Sequence, residues 1–299
     1  MGPVSANFLI RISSLAVVGV LAFFALPAFI TAGKADNQTP TAVNAPPAVH
    51  LANISTRLAV GTAENVLIGG FIITGTQPKK IIVRALGPML PVSQNLADPT
   101  LQLHGPSGVV ASNDNWRETQ QEALKATTIP PKNDYDSAIV QSLNPGTYTA
   151  VLAGKGGTTG VALLEVYDLD RTVDSRLANI STRGRVEQGD NVLIGGTIVL
   201  GNGPTTVLFR ALGPSLQGVL DQLQDPTLEL YNSQGQILAS NNDWQDSQAT
   251  AIEATTIPPE NPREAALLYD LTPGDYTAIV RGRNNTTGVA LIEAYQLLR

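Results

Sequence analysis

Residues 227–241 read TLELYNSQGQILASN, and their pattern decides the fold class. Leu228 and Leu230 fall on one face of an extended chain, while Glu229 and Tyr231 fall on the other, the period of two expected of a half-buried strand. Residues 232–235 (NSQG) are turn formers, and a second apolar run follows at 237–239. The stretch therefore predicts a β-hairpin. Further along, Pro273-Gly274 marks a turn, after which Tyr276, Ala278 and Val280 alternate with their neighbours, and residues 288–295 supply another strand. Tyr276 and its counterpart Tyr148 look like tyrosines whose hydroxyls tie down a connection in a Greek-key sandwich.

The same text appears twice. LANISTR at 51–57 returns unchanged at 177–183, NVLIGG at 65–70 returns at 191–196, and RALGP at 84–88 returns at 210–214. DPTL (98–101 and 225–228), ATTIPP (126–131 and 254–259) and TTGVAL (158–163 and 286–291) follow in the same order. Roughly half of the aligned positions are identical, so the chain holds two copies of one module. The expected organisation is a signal peptide over 1–32, a linker over 33–50, one repeat over 51–170, a short link over 171–176 and a second repeat over 177–299. The fold class is all-β: two tandem antiparallel β-sandwiches of jelly-roll or Ig-like type, with about seven to nine strands per copy. Each copy should carry one short inserted helix, which residues 118–127 signal in the first through helix formers ahead of Pro130-Pro131. Coincident hydrophobic patterns predict superposable sandwiches with separate cores. The double glycines at 69–70 and 195–196 lie within strands, where a bulge or close backbone approach explains them.

Bulk properties narrow the function. The 299 residues carry a net charge of -6 with scattered Lys and Arg, which argues against nucleic acid, since phosphate binding needs a concentrated basic stripe. There is no cysteine, which excludes disulfides and thiolate metal sites. Arg11 precedes an almost wholly apolar run over 15–30, followed by small residues at Thr31, Ala32, Gly33 and Ala35. That order reads as a cleaved secretory signal peptide, with an uncleaved anchor as the alternative. The mature protein is expected outside the cytoplasm, at the cell surface or secreted, with no membrane span.

Residues 225–291 resemble the bacterial pre-peptidase C-terminal domain through Leu-Glu-Leu-Tyr at 228–231, Ile-Leu-Ala-Ser-Asn at 237–241 and Pro-Gly-Asp-Tyr-Thr at 273–277. The LANISTR, NVLIGG and RALGP segments resemble repeats in large exported proteins of environmental bacteria. The first resemblance implies a secreted β-sandwich with an accessory role beside enzymes or on a surface, and calcium in some members. The acidic, Gly-rich loop of that family is replaced here by Asn113-Asp114-Asn115-Trp116 and Asn241-Asn242-Asp243-Trp244.

These loops are the leading site candidates. Their oxygens suit Ca2+, with Asn113, Asp114, Asp134 and Asp136 in the first copy and Asn241 and Asp243 in the second, and with Asp98 and Asp225 able to fold back. Trp116 and Trp244 could stack on a sugar, or simply be buried. Asn115 with Glu118 has the spacing of a capping box for the predicted helix. Arg84 and Arg210 of RALGP could form a polar binding patch, or pair with Glu165 and Glu293 across a sheet and with loop carbonyls. Catalysis has weak support. His50 falls in the linker and His104 is replaced by Tyr231 in the other copy, so no catalytic residue is assigned. The expected function is a non-catalytic binding module for an extracellular polysaccharide or another surface polymer. A structural component of a surface layer or matrix, with self-association, and an accessory domain of a secreted hydrolase system are the alternatives.

Overall fold

A computed structural model describes residues 49–297. The expected signal peptide and nearly all of the expected linker lie outside the described residues. The first copy forms β1 (His50–Val60), β2 (Leu67–Thr74), β3 (Lys79–Leu86), β4 (Pro99–Gly105), β5 (Gly108–Asn113), α1 (Gln121–Ala126), β6 (Ser137–Leu143), β7 (Gly146–Gly154) and β8 (Gly160–Asp168). The second repeats this order as β9 (Arg176–Val186), β10 (Leu193–Leu200), β11 (Thr205–Leu212), β12 (Pro226–Asn232), β13 (Ile237–Asn241), α2 (Ala249–Glu253), β14 (Ala265–Leu271), β15 (Gly274–Gly282) and β16 (Gly288–Leu297). The protein is all-β, with eight strands and one short α-helix per copy among the described residues. The hairpin that opened the reading is β12–β13, with Leu228 and Leu230 fully buried.

Strand pairing crosses between the copies. Along one edge β1 pairs antiparallel with β8 of its own copy, from Asn53↔Tyr167 to Val60↔Gly160. Along the other it pairs with β10 of the second copy, from His50↔Leu200 to Arg57↔Ile194. β9 does the same in reverse, pairing with β16 and with β2. The result is two eight-stranded runs, β6-β3-β8-β1-β10-β15-β12-β13 and β14-β11-β16-β9-β2-β7-β4-β5, each taking four strands from each copy. The runs meet where Leu51 pairs with Leu177, two positions that are equivalent in the repeat. Thr56 and Thr182, also equivalent, share a buried hydroxyl hydrogen bond of 2.7 Å. A residue facing its own counterpart marks a local two-fold axis, so the seam is organised like the interface of a symmetric dimer.

The expectation of separate cores is corrected by this pairing. One apolar cluster contains Ile54, Phe71, Val83 and Leu152 of the first copy together with Ile180, Val199, Phe209 and Leu228 of the second. The physical reason is edge satisfaction, because an unpaired β1 or β10 would leave a row of backbone donors and acceptors open. The glycines of NVLIGG make the close fit possible. Gly70 pairs with Ser181 and Gly196 with Ser55, both across the seam. A Cβ added at Gly70 would sit 2.5 Å from Ser181 Oγ, and one at Gly196 2.4 Å from Ser55 Oγ. Close approach, one of the two expected explanations, therefore accounts for both residues.

β3 is buried on both faces, which explains its continuous IIV run. Ile81 and Val83 enter the shared core, while Ile82 packs outward with Trp116, Leu124 of α1, Ala138 and Val140. Leu208, Trp244, Ile252 of α2 and Ala266 form the same satellite cluster in the second copy. The outermost strands are treated unequally. Gln120 accepts from the backbone N–H of Val140 and donates to its carbonyl, both at 2.9 Å, and Gln248 does the same to Leu268. One amide side chain thus occupies part of the free edge of β6 and of β14. β5 and β13, at the opposite ends of the runs, carry exposed Val109 and Ile237. No helix among the described residues is long and apolar enough to cross a membrane.

Candidate functional site

Trp116 and Trp244 are 2% and 5% exposed, so neither offers a ring to a ligand, and the stacking assignment is corrected. Trp116 donates its indole N–H to the carbonyl of Asn133 at 3.0 Å and carries the Arg117 guanidinium 4.2 Å from its ring centre. The reason is packing. The outer face of β3 and β6 is apolar, and a large ring beside a short helix covers it. The capping-box reading also changes. Asn115 does bond Glu118, at 2.7 Å through its side chain, but α1 begins only at Gln121 and has no side-chain cap.

The calcium candidates are not assembled into one cage. Asp98 and Asp225 do fold back beside Asp114 and Asp243, but the chain places its own cation between each pair. Lys155 Nζ lies 2.6 Å from Asp114 and 3.6 Å from Asp98, and Arg283 lies 3.7 Å from Asp225 and 4.0 Å from Asp243. The bond to Asp114 is the main reason that the Lys155 amine is held above its ordinary range. Asn113 and Asn241 spend their side-chain oxygens on the N–H groups of Ala138 and Ala266. Asp134 pairs with Arg117 at 2.5 Å. Asp136 is buried, accepting from the N–H groups of Gly87 and Asn133. Among the described residues no group of three or more His, Cys, Asp or Glu side chains converges where it could hold a metal ion.

Burial raises the Asp136 carboxyl from 3.8 to about 6, against the two backbone donors and Arg84, which pull it down. Its folded value lies above its unfolded one, so protonation favours the folded state. That contribution is complete below about pH 4 and is lost as pH rises through about 6. Asp136→Asn is therefore expected to be most favourable relative to the parent near pH 7 and least near pH 4. Urea unfolding at several pH values checks this, and parallel stability curves for the two proteins would refute it.

Arg84 and Arg210 are held as pairs rather than presented as a patch. Arg84 bonds Glu165 directly across from it on β8, donates to the carbonyl of Ile129 at 2.8 Å, and lies 5.1 Å from the centre of the Tyr167 ring. Tyr167 completes the cluster by donating to the other Glu165 oxygen at 3.0 Å. Arg210, Glu293, Ile257 and Tyr295 repeat every contact. Burial, then the adjacent Glu293 charge, pushes the Tyr295 phenol up to about 12. These clusters pin the loop after each short helix to the sheet. Tyr148 and Tyr276 likewise donate to the carbonyls of Asn144 and Thr272, each at 2.8 Å, as the sandwich reading expected.

The feature not singled out in the sequence lies at the seam. A groove of about 290 Å3 runs between the outer face of the sheet and the β11–β12 loop. Ile68, Gly70 and Thr149 of the first copy and Ser181 and Arg183 of the second form the sheet side, and Leu216, Gln217 and Val219 of the second form the loop side. Leu220 on the same loop is 87% exposed. Arg183 belongs to LANISTR, so its recurrence was visible. The loop over 215–224 is where the copies diverge, and it carries no motif.

No family model matches the chain, and no curated protein does. The resemblance to the pre-peptidase C-terminal domain therefore rests on the quoted motifs alone. Among solved structures, the chain aligns with one from Sulfolobus Turreted Icosahedral Virus at 10% identity and a TM-score of 0.23, covering 83% of this chain and 90% of that one. It also aligns with a DUF4785 family protein from Legionella pneumophila at 9% identity and a TM-score of 0.24, covering 89% of this chain and 87% of that one. Likenesses this low carry no argument about fold or function.

Proposed function

We propose that the chain is an exported, non-catalytic binding module for an extracellular polysaccharide or another surface polymer. The seam groove carries this reading. It is concave, mixes aliphatic walls with a few convergent polar groups, and approaches the smallest volumes usual for ligand sites, about 300 Å3. It also draws on both copies, since its sheet side combines β2 and β7 of the first with β9 and β16 of the second. That gives the duplication a use.

Protein lacking residues 1–32 is expected to be depleted from solution by an insoluble cell-envelope polysaccharide. Val219→Asp, which places a carboxylate in the wall beside Arg183, should restore it to the supernatant. Equal recovery of parent and variant from every polymer tried would overturn the reading. The alternative, a structural component of a surface layer, draws on the exposed aliphatic residues Val109 and Ile237 at the opposite end strands β5 and β13. Chains that stack through those ends would sediment as concentration-dependent oligomers, whereas the binding reading leaves one species.

A further inference from the structure

We propose that the seam groove takes the carboxylate of an acidic sugar, with Arg183 as the residue that recognises it. This rests on the polymer-binding reading and narrows its ligand class. Arg183 and Arg185 leave the same face of β9, two residues apart, but their surroundings differ. Arg185 is neutralised by Asp221 at 2.5 Å. Arg183 lines the groove half-buried and has no ion-pair partner among the described residues. A guanidinium cannot shed its charge, and its planar fork of donors matches a carboxylate in two parallel hydrogen bonds. Placed in a partly dehydrated groove without an internal partner, it is complementary to an anion supplied from outside.

The rest of the groove selects among anions. Ser181 and Thr149 present hydroxyls, and Gln217 an amide, beside the arginine, matching a body rich in hydroxyl groups. Val219 and Ile68 are suited to the C–H faces of a pyranose ring. One uncompensated positive charge matches one carboxylate per sugar. Densely charged polyphosphates would need a concentrated basic stripe, which the scattered Lys and Arg do not supply.

The test titrates protein lacking residues 1–32 with trigalacturonate and with its methyl ester, which keeps the ring and hydroxyl groups and removes the charge. Calorimetry at low salt is expected to show the acid binding about tenfold or more tightly than the ester, the scale of one hydrogen-bonded charge. The preference should shrink as salt is raised. Arg183→Gln should abolish it and Arg185→Gln should leave it. Equal binding of acid and ester would overturn the acidic-sugar assignment while leaving the polymer-binding reading standing. Absence of binding by either would also overturn the acidic-sugar assignment, while the polymer-binding reading would fall only if the depletion assay failed as well. Because the acid–ester comparison is made on the parent protein, it does not depend on how the variants fold.

Discussion

Residues 177–299 produced alone are expected to form a symmetric dimer rather than a folded monomer. Removing the first copy strips β9 of β2 and β10 of β1, opening two edge strands whose backbone groups are paired in the intact chain. It also exposes Leu177 and Val199, which are fully buried at the seam. The fragment carries both halves of a compatible interface, because Ser181 and Gly196 repeat the Ser55 and Gly70 that meet them. A second fragment can therefore supply β10 to β9 and β9 to β10, with Thr182 meeting Thr182. Sedimentation equilibrium should give twice the fragment mass, or precipitation where edges pair out of register. A monomer with a cooperative unfolding transition would show that the seam is dispensable and that each copy holds its own core.

Arg84→Ala is expected to lower the stability of the whole chain by about 3–5 kcal/mol, the range for removing one partner of a buried ion pair. Glu165, with a side chain 3% exposed, would keep only the Tyr167 hydroxyl as a hydrogen-bond donor, and the carbonyl of Ile129 would lose Arg84 as its donor. For a protein of this size that corresponds to a fall in melting temperature of roughly 6–20 °C. Arg210→Ala should have a similar effect, because its contacts are the same. The shared core adds a sharper expectation: either variant should shift one transition, not split it into two. Calorimetric scans check both points. A change of under 1 kcal/mol would mean that water replaces the pair, and a separated second transition would mean that the copies unfold independently.

Much of the local structure was legible from residue order. The alternation of Leu228 and Leu230 with Glu229 and Tyr231 predicted β12, and NSQG predicted the turn before β13. The tyrosine ties at Tyr148 and Tyr276 followed from their place after Pro-Gly turns. The Arg84–Glu165 pairing was one of two readings, since a cross-strand pair and a surface patch use the same residue types. Trp116 was ambiguous for a similar reason: an indole suits a sugar platform or a small core, and only the apolar outer face of β3 and β6 resolves the choice. The acidic loops suggested a metal because oxygen-rich loops suit calcium. Lys155 stands about 40 residues away from Asp114, and nothing local announces that its ammonium group comes to lie between Asp114 and Asp98.

The sequence by itself determined the strands, the turns and the duplication, because periodicity, Gly and Pro placement and repeated text act over a few residues or recur at one offset. Only the tertiary structure decided where the edges of β1 and β9 would go. Every strand edge presents the same backbone donors and acceptors, so partner choice is not written in the strand that makes it. It depends on which distant strand has side chains small enough to approach. Gly70 and Gly196 meet that condition across the seam, where Ser181 and Ser55 press against them. The same crossing fused two expected cores into one and opened the groove that Arg183 lines, so the candidate site belongs to the pair of copies and to neither alone.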